Sequence, residues 1–202
     1  MKIFLGYYNK SVILTYIGAA AAVVGSCLAF SGKMSFALLC LIICGVCDLF
    51  DGMIARRCKR TEDEKEFGVQ IDSLTDMLSF VAFPVVISVA SGMNKWYHIL
   101  IYIFYALASI TRLGFFNVSS AKEGDIKFYR GLPVTFSSLI VTLGWIIGTI
   151  FSITHIILPI CLSVTALLFI LDIKIPKPKG VAYILLALLA VALSVLVFFV
   201  GE

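Results

Sequence analysis

An all-α bundle of about seven membrane-spanning helices is what this sequence predicts, and three observations carry that reading. Of the 202 residues, 61% are hydrophobic and 14% charged, with a mean hydropathy of +1.06; soluble domains are about half apolar and a quarter charged. A water-soluble fold of this size lacks the interior to hide so much apolar surface. The apolar residues are also gathered into continuous runs near the ~20 residues that a helix needs to cross a bilayer core, without the alternating segments of a membrane barrel. Third, the charges fall almost entirely between the runs, and mostly in alternate gaps.

The first run, 12–30, follows a short polar N-terminus that does not read as a cleavable leader. The second, 34–55, carries Asp48 and Asp51 near its end, and the third, 67–91, carries Asp72 and Asp76 near its start. Between these two lies a segment charged with both signs. It reads as a solvated loop beside lipid headgroups, which accounts for Arg57, Lys59 and Arg60. The fourth run, 96–116, precedes a polar stretch with Asn117, Lys122, Lys127, Tyr129 and Arg130. A Gly131-Leu132-Pro133 step, a loop breaker and helix start, leads into the fifth run, 132–151. The sixth, 155–171, is short and holds Pro159, which should tilt or kink it; the seventh is 181–200. Residues 1–202 read as one membrane domain.

With the N-terminus in the cytosol, 13 of the 16 Lys and Arg residues fall on the cytosolic side, Arg112 lies near the inner end of the fourth run, and Lys33 and Lys95 face outward. This asymmetry follows the positive-inside rule. It predicts a multi-pass protein of the cell membrane with an odd number of spans and an external C-terminus. It also explains the net charge of +4 without nucleic acid as a partner. Five of the six cysteines lie in apolar runs, and all six read as thiols rather than disulfides.

Four carboxylates at membrane depth are the costly feature, and an ionisable group there points to function. Asp48 and Asp51 are three apart and share a helix face; Asp72 and Asp76, four apart, share another, with Gly68 one turn before them. All flank one cytosolic segment, so they converge on one layer near the inner surface, where they need cations or protons. Oxygen-only ligation points to Mg²⁺ or Mn²⁺, with Ca²⁺ as a further occupant, rather than zinc. His98 and His155 are expected at the opposite surface. A pair of such ions suits phosphoryl chemistry. Gly52, Ala55 and Gly68 either let helices pack closely or leave room for a planar ligand, and Arg56 is placed to meet a phosphate or the carboxylates.

Asp48-x-x-Asp51-Gly52-x-x-Ala55-Arg56, then eleven residues, then Gly68-x-x-x-Asp72-x-x-x-Asp76 resembles the signature of the CDP-alcohol phosphatidyltransferase family, with every fixed position filled. The resemblance implies a six-helix core over about 12–171, with the seventh span an addition, and a homodimer. It implies that Asp48, Asp51, Asp72 and Asp76 hold metal, about two ions per subunit, and that Asp76 is also the general base. Asp51, Gly52, Ala55, Arg56, Gly68 and Asp72 would contact the CDP part of an activated lipid. An alcohol would attack the lipid-bearing phosphorus, and CMP would leave.

The stretch from Asn117 to the Gly-Leu-Pro step is similar to that of the serine-using, membrane-embedded branch of the family. That makes L-serine the expected acceptor, with Arg112, Asn117, Tyr129 and Arg130 as its recognition residues. A guanidinium suits the serine carboxylate, although inositol phosphate or glycerol phosphate would also draw on basic residues. Intramembrane carboxylates also mark transporters and channels, but those favour charges near the bilayer midplane on broken helices. A purely structural membrane protein would need no convergent carboxylates.

Overall fold

The computed structural model describes residues 5–9, 12–123, 128–176, 178 and 180–201; the side chains of residues 56 and 121–123 fall outside that description. Lys2, Lys10, Lys127, Lys177, Lys179 and the side chains of Arg56 and Lys122 therefore lie outside the described structure. The elements are α1 (Ile13–Phe30), α2 (Met34–Arg57), α3 (Glu62–Asp76), a π-helix (Met77–Ala82), α4 (Phe83–Ala90), α5 (Trp96–Glu123), β1 (Phe128–Arg130), α6 (Phe136–Ile150), α7 (Thr154–Ile170), β2 (Lys174–Pro176) and α8 (Val181–Gly201). Helix α3, the π-helix and α4 are continuous and form one span, so the chain makes a polytopic helical bundle. Among the described residues, five helical segments are long and apolar enough to cross a bilayer, while Phe136–Ile150 and Thr154–Ile170 are shorter apolar helices.

The expected runs match these elements to within a few residues, except that α5 continues seven residues past its expected end at 116, through Asn117; three further departures are instructive. Helix α3 begins five residues early, inside the charged segment, because Thr61 and Glu64 form a reciprocal capping box; the T-x-x-E pattern is a helix-start signal in its own right. Helix α6 starts four residues late, because residues 133–138 run through successive tight turns, with Phe136, Ser137 and Ser138 donating to the carbonyls of Pro133, Val134 and Thr135. Two three-residue strands, β1 and β2, pair antiparallel with Tyr129 opposite Ile175, tying the α5–α6 connection to the α7–α8 connection. Gly131 follows β1 at φ +75°, where a Cβ would run into the Phe169 carbonyl; only glycine fits this turn.

Small residues set the spacing of the helices that matter most. Thr15, Gly18, Ala22, Gly25 and Ala29 form the buried face of α1, which packs along α2. A Cβ on Gly25 would come within 2.7 Å of the Cys40 Cβ, and one on Gly18 within 3.4 Å of the Cys47 Cβ. Without a hydrophobic drive between helices in lipid, close backbone approach through small residues is what holds them together. The connections at the far end, after α1, α4 and α6, are short. The first two close with Gly32 and Gly92 at positive φ, Lys33 N–H reaching Leu28 O and Met93 N–H reaching Ser88 O, the glycine-capped helix stop. The longer connections, with their polar residues, gather at the opposite end.

The π-helix has a chemical cause. Pro84 lacks an N–H, which orphans the carbonyl four residues earlier, that of Phe80. Phe80 O instead accepts from Tyr105 Oη at 2.5 Å and from Ser137 Oγ at 3.2 Å. Two neighbouring helices thereby grip the third span one turn beyond Asp76.

Candidate active site

The four aspartates come from two helices that meet at the end with the long connections. One oxygen each from Asp48, Asp72 and Asp76 lie within 4.8 Å of one another. Asp51, 8% exposed, stands beside that trio and lies against Asp72, while Asp48 lies against Asp76. So many carboxylate oxygens in so little space repel unless a cation or shared protons separate them. Three oxygen donors on two rigid helices, with no nitrogen or sulfur among them, fit a hard divalent cation.

Two hydroxyls orient the cluster from outside it. Thr135 Oγ1 donates to Asp48 Oδ2 at 2.5 Å, and Thr15 Oγ1 to Asp51 Oδ2 at 3.1 Å. Sequence reasoning missed both roles, although both leave a trace. Thr15 begins the small-residue face of α1, and Thr135 sits two residues after Pro133, where the late start of α6 swings it onto α2.

A cavity of about 310 Å³ opens over the cluster. Asp48, Asp51, Gly52, Asp72, Ser73 and Asp76 line it from α2 and α3, and Arg112, Phe116, Asn117 and Tyr129 from α5 and β1. Asn117 Nδ2 donates to Ser73 Oγ at 2.8 Å, joining the two walls. Arg112 is only 6% exposed; it faces Asp76, Tyr129 and Asp48, and its guanidinium lies 4.9 Å from the Phe116 ring centre. Its Nε is buried without a hydrogen-bond partner. Tyr183, Leu186 and Ala190 of α8 complete the wall, so the seventh span contributes to the cavity.

Not every expected residue gathers there. Ala55 and Gly68 are not among the lining residues, and the Arg56 side chain lies outside the described structure. Arg130 points away from the cavity: its Nε donates to Asp172 Oδ1 at 2.7 Å, and its Nη2 to Asp172 Oδ2, in a forked ion pair. It lines a neighbouring space of about 190 Å³ together with Arg112 and Asp172. His98 and His155 sit on the first turns of α5 and α7, a helix length from the aspartates.

The profile of the CDP-alcohol phosphatidyltransferase family matches residues 8–198. The chain is 26% identical over 169 residues to archaetidylserine synthase of Methanothermobacter thermautotrophicus, covering 83% of this chain and 70% of that protein. It is 34% identical over 110 residues to CDP-diacylglycerol–serine O-phosphatidyltransferase of Saccharomyces cerevisiae, over 51% of this chain and 38% of the relative. A 61-residue match, 41% identical, joins it to CDP-diacylglycerol–glycerol-3-phosphate 3-phosphatidyltransferase of Cereibacter sphaeroides, over 30% of this chain and 26% of that one. A family match across nearly the whole chain coincides with an aspartate cluster at one end of a membrane bundle, and the chain belongs to the CDP-alcohol phosphatidyltransferase family.

Proposed function

We propose that this protein transfers a phosphatidyl-type group from a CDP-activated lipid to L-serine, releasing CMP. The observation that carries the choice of serine is Arg112. Its buried guanidinium faces the aspartate cluster across the cavity with Nε unpaired, a place suited to an acceptor that brings its own carboxylate. Asn117 and Tyr129, on the same wall, are the proposed partners of the serine ammonium. Arg130 then supports this wall through Asp172 and β2. Two of the three relatives named above are serine-using synthases by name, which supports the same reading.

Asp48, Asp51, Asp72 and Asp76 would hold the divalent cation, Mg²⁺ or Mn²⁺ and about two per subunit, with Ca²⁺ as an alternative occupant; when bound it neutralises the diphosphate and polarises the scissile phosphorus. Asp76 would take the proton of the serine hydroxyl as that oxygen bonds to the lipid-bearing phosphorus. The bond from this phosphorus to the CMP oxygen breaks, and CMP leaves with the electron pair. Asp76 suits the role by depth: it lies two turns into the span from Gly68 and is 8% exposed, on the side where lipid tails continue into the bilayer. Asp51, Gly52, Ala55, Arg56, Gly68 and Asp72 would form the donor's nucleotide side. The proposed orientation puts the site at the cytosolic face, the N-terminus inside and the C-terminus outside, in a homodimer.

An acceptor panel tests the assignment. Purified protein with CDP-lipid and Mg²⁺ or Mn²⁺ should release CMP with L-serine and not with inositol, inositol phosphate or glycerol phosphate. Turnover with a phosphorylated acceptor and none with serine would overturn serine and leave the transferase standing.

A further inference from the structure

Gly68 carries a neighbour that the family pattern does not include. A Cβ built on Gly68 would lie 3.3 Å from Arg60 Nη1, so the Arg60 guanidinium rests on the bare glycine face of α3. Gly68 shares this face with Asp72 and Asp76 and lies about 6 Å nearer the polar end than Asp72, four residues at 1.5 Å each. Arg60 therefore sits on the ledge beside the cavity mouth. Its Nε is buried and has no hydrogen-bond partner.

The unpaired Nε is notable because α3 opens with carboxylates. Glu62 is joined to Lys65 at 2.7 Å, Asp63 accepts from Tyr7 Oη at 3.0 Å, and Glu64 closes the capping box with Thr61. These three groups serve the start of the helix and leave Arg60 to the glycine face. A buried guanidinium N–H without an acceptor is a costly state, and an arriving anion relieves it. The guanidinium is also a plane of nucleobase width that stacks on aromatic faces.

We propose that Arg60 is a donor-site latch: it covers Gly68 when the site is empty, and swings over the CDP moiety of the lipid donor to hold its diphosphate when the site fills. This rests on the reading above that the nucleotide lies along the Gly68–Asp72 face. The bare Cα of Gly68 lets base and guanidinium exchange places on the ledge. Arg60 acts on donor affinity from the CMP side of the diphosphate, away from the lipid-bearing phosphorus that the acceptor attacks.

The test measures CMP release at varied CDP-diacylglycerol, and direct binding of CDP by calorimetry, with the full chain in lipid nanodiscs and Mg²⁺. Arg60→Ala should raise the donor KM and weaken CDP binding by about tenfold, the scale of one charge-assisted contact. kcat and the acceptor KM should stay within about twofold, and Arg60→Lys should recover part of the loss. A donor KM that is unchanged or lower in Arg60→Ala, while wild type turns over, overturns the latch. A fall in kcat with CDP binding intact overturns it as well. Failure of wild type to release CMP with every acceptor of the panel above would instead remove the transferase reading, and CDP binding would still score Arg60 separately. Comparable thermal midpoints of Arg60→Lys and wild type separate a binding loss from misfolding.

Discussion

Asp76 combines burial, depth and contact with Asp48, so its substitution is the most informative at residue scale. Asp76→Asn keeps the shape and removes the proton acceptor. Turnover should fall on the order of 10²–10⁴-fold with measurable CDP-lipid binding retained; a parallel collapse of donor binding would mark Asp76 as an indispensable metal ligand instead. Chelation should abolish CMP release in wild type, and restored Mg²⁺ or Mn²⁺ should return it. Arg112 sets a second expectation. Because a forked donor matches a carboxylate in a way an ammonium does not, Arg112→Lys should raise the serine KM by about tenfold or more with the donor KM unchanged. Thr135→Val removes the hydroxyl from Asp48 and should reduce metal-dependent activity, whereas Thr135→Ser should preserve most of it.

The elements hold these side chains in register by two devices. One is the small-residue face of α1, which brings Thr15 to Asp51. Gly25→Val would press against Cys40 and the Phe83 ring; overpacking of this kind costs about 1–3 kcal/mol, visible as a lower thermal midpoint in detergent together with lower activity. The other is the clasp of β1 on β2 by Arg130 and Asp172. The Arg130 guanidinium holds the Asp172 carboxyl below the usual carboxylate range. A carboxylate with a depressed folded value stabilises the clasp above its unfolded value, about 3.9, and loses that contribution as pH falls through the folded value. Amide exchange at Gly131 and Ile175, corrected for the intrinsic pH dependence of the exchange chemistry, should accordingly be unchanged from pH 8 to pH 5. Asp172→Asn should accelerate it already at neutral pH, and an exchange rate equal to wild type would show that backbone pairing alone holds the strands.

At the scale of the molecule, the continuous helices and short far-end turns put residues 58–61, 128–135, 171–176, 178 and 180 at one end and 31–33, 91–95 and 151–153 at the other. Single cysteines at positions 59 and 95, in a background without other cysteines, should be labelled by a membrane-impermeant reagent from opposite faces. With the basic residues inside, position 95 should react in intact cells and position 59 only after lysis. Labelling of both in intact cells would break the topology.

Much of this was legible in the chain because a bilayer imposes one rule on every span: backbone polar groups must pair internally. Continuous apolar runs therefore read as helices, and aspartates placed among them stand out. Asp48, Asp51, Asp72 and Asp76 were marked by their cost, their three- and four-residue spacing and the shared segment they flank. The π-helix was less legible, since Pro84 names only the carbonyl it orphans and not the Tyr105 and Ser137 hydroxyls that donate to it. Nor does local sequence tell which arginine faces which space. Arg112 lies near the end of one apolar run and Arg130 just before the next, yet one is buried over Phe116 beside the aspartates and the other is held outside by Asp172, a residue 42 positions later. The spans and the carboxylate layer could be read along the chain, because hydropathy and helical spacing are local properties. That Thr15, Thr135 and Tyr183 join the site and that Arg60 lies on Gly68 emerges from the packing alone, because those neighbours are set by how closely small residues let separate helices approach.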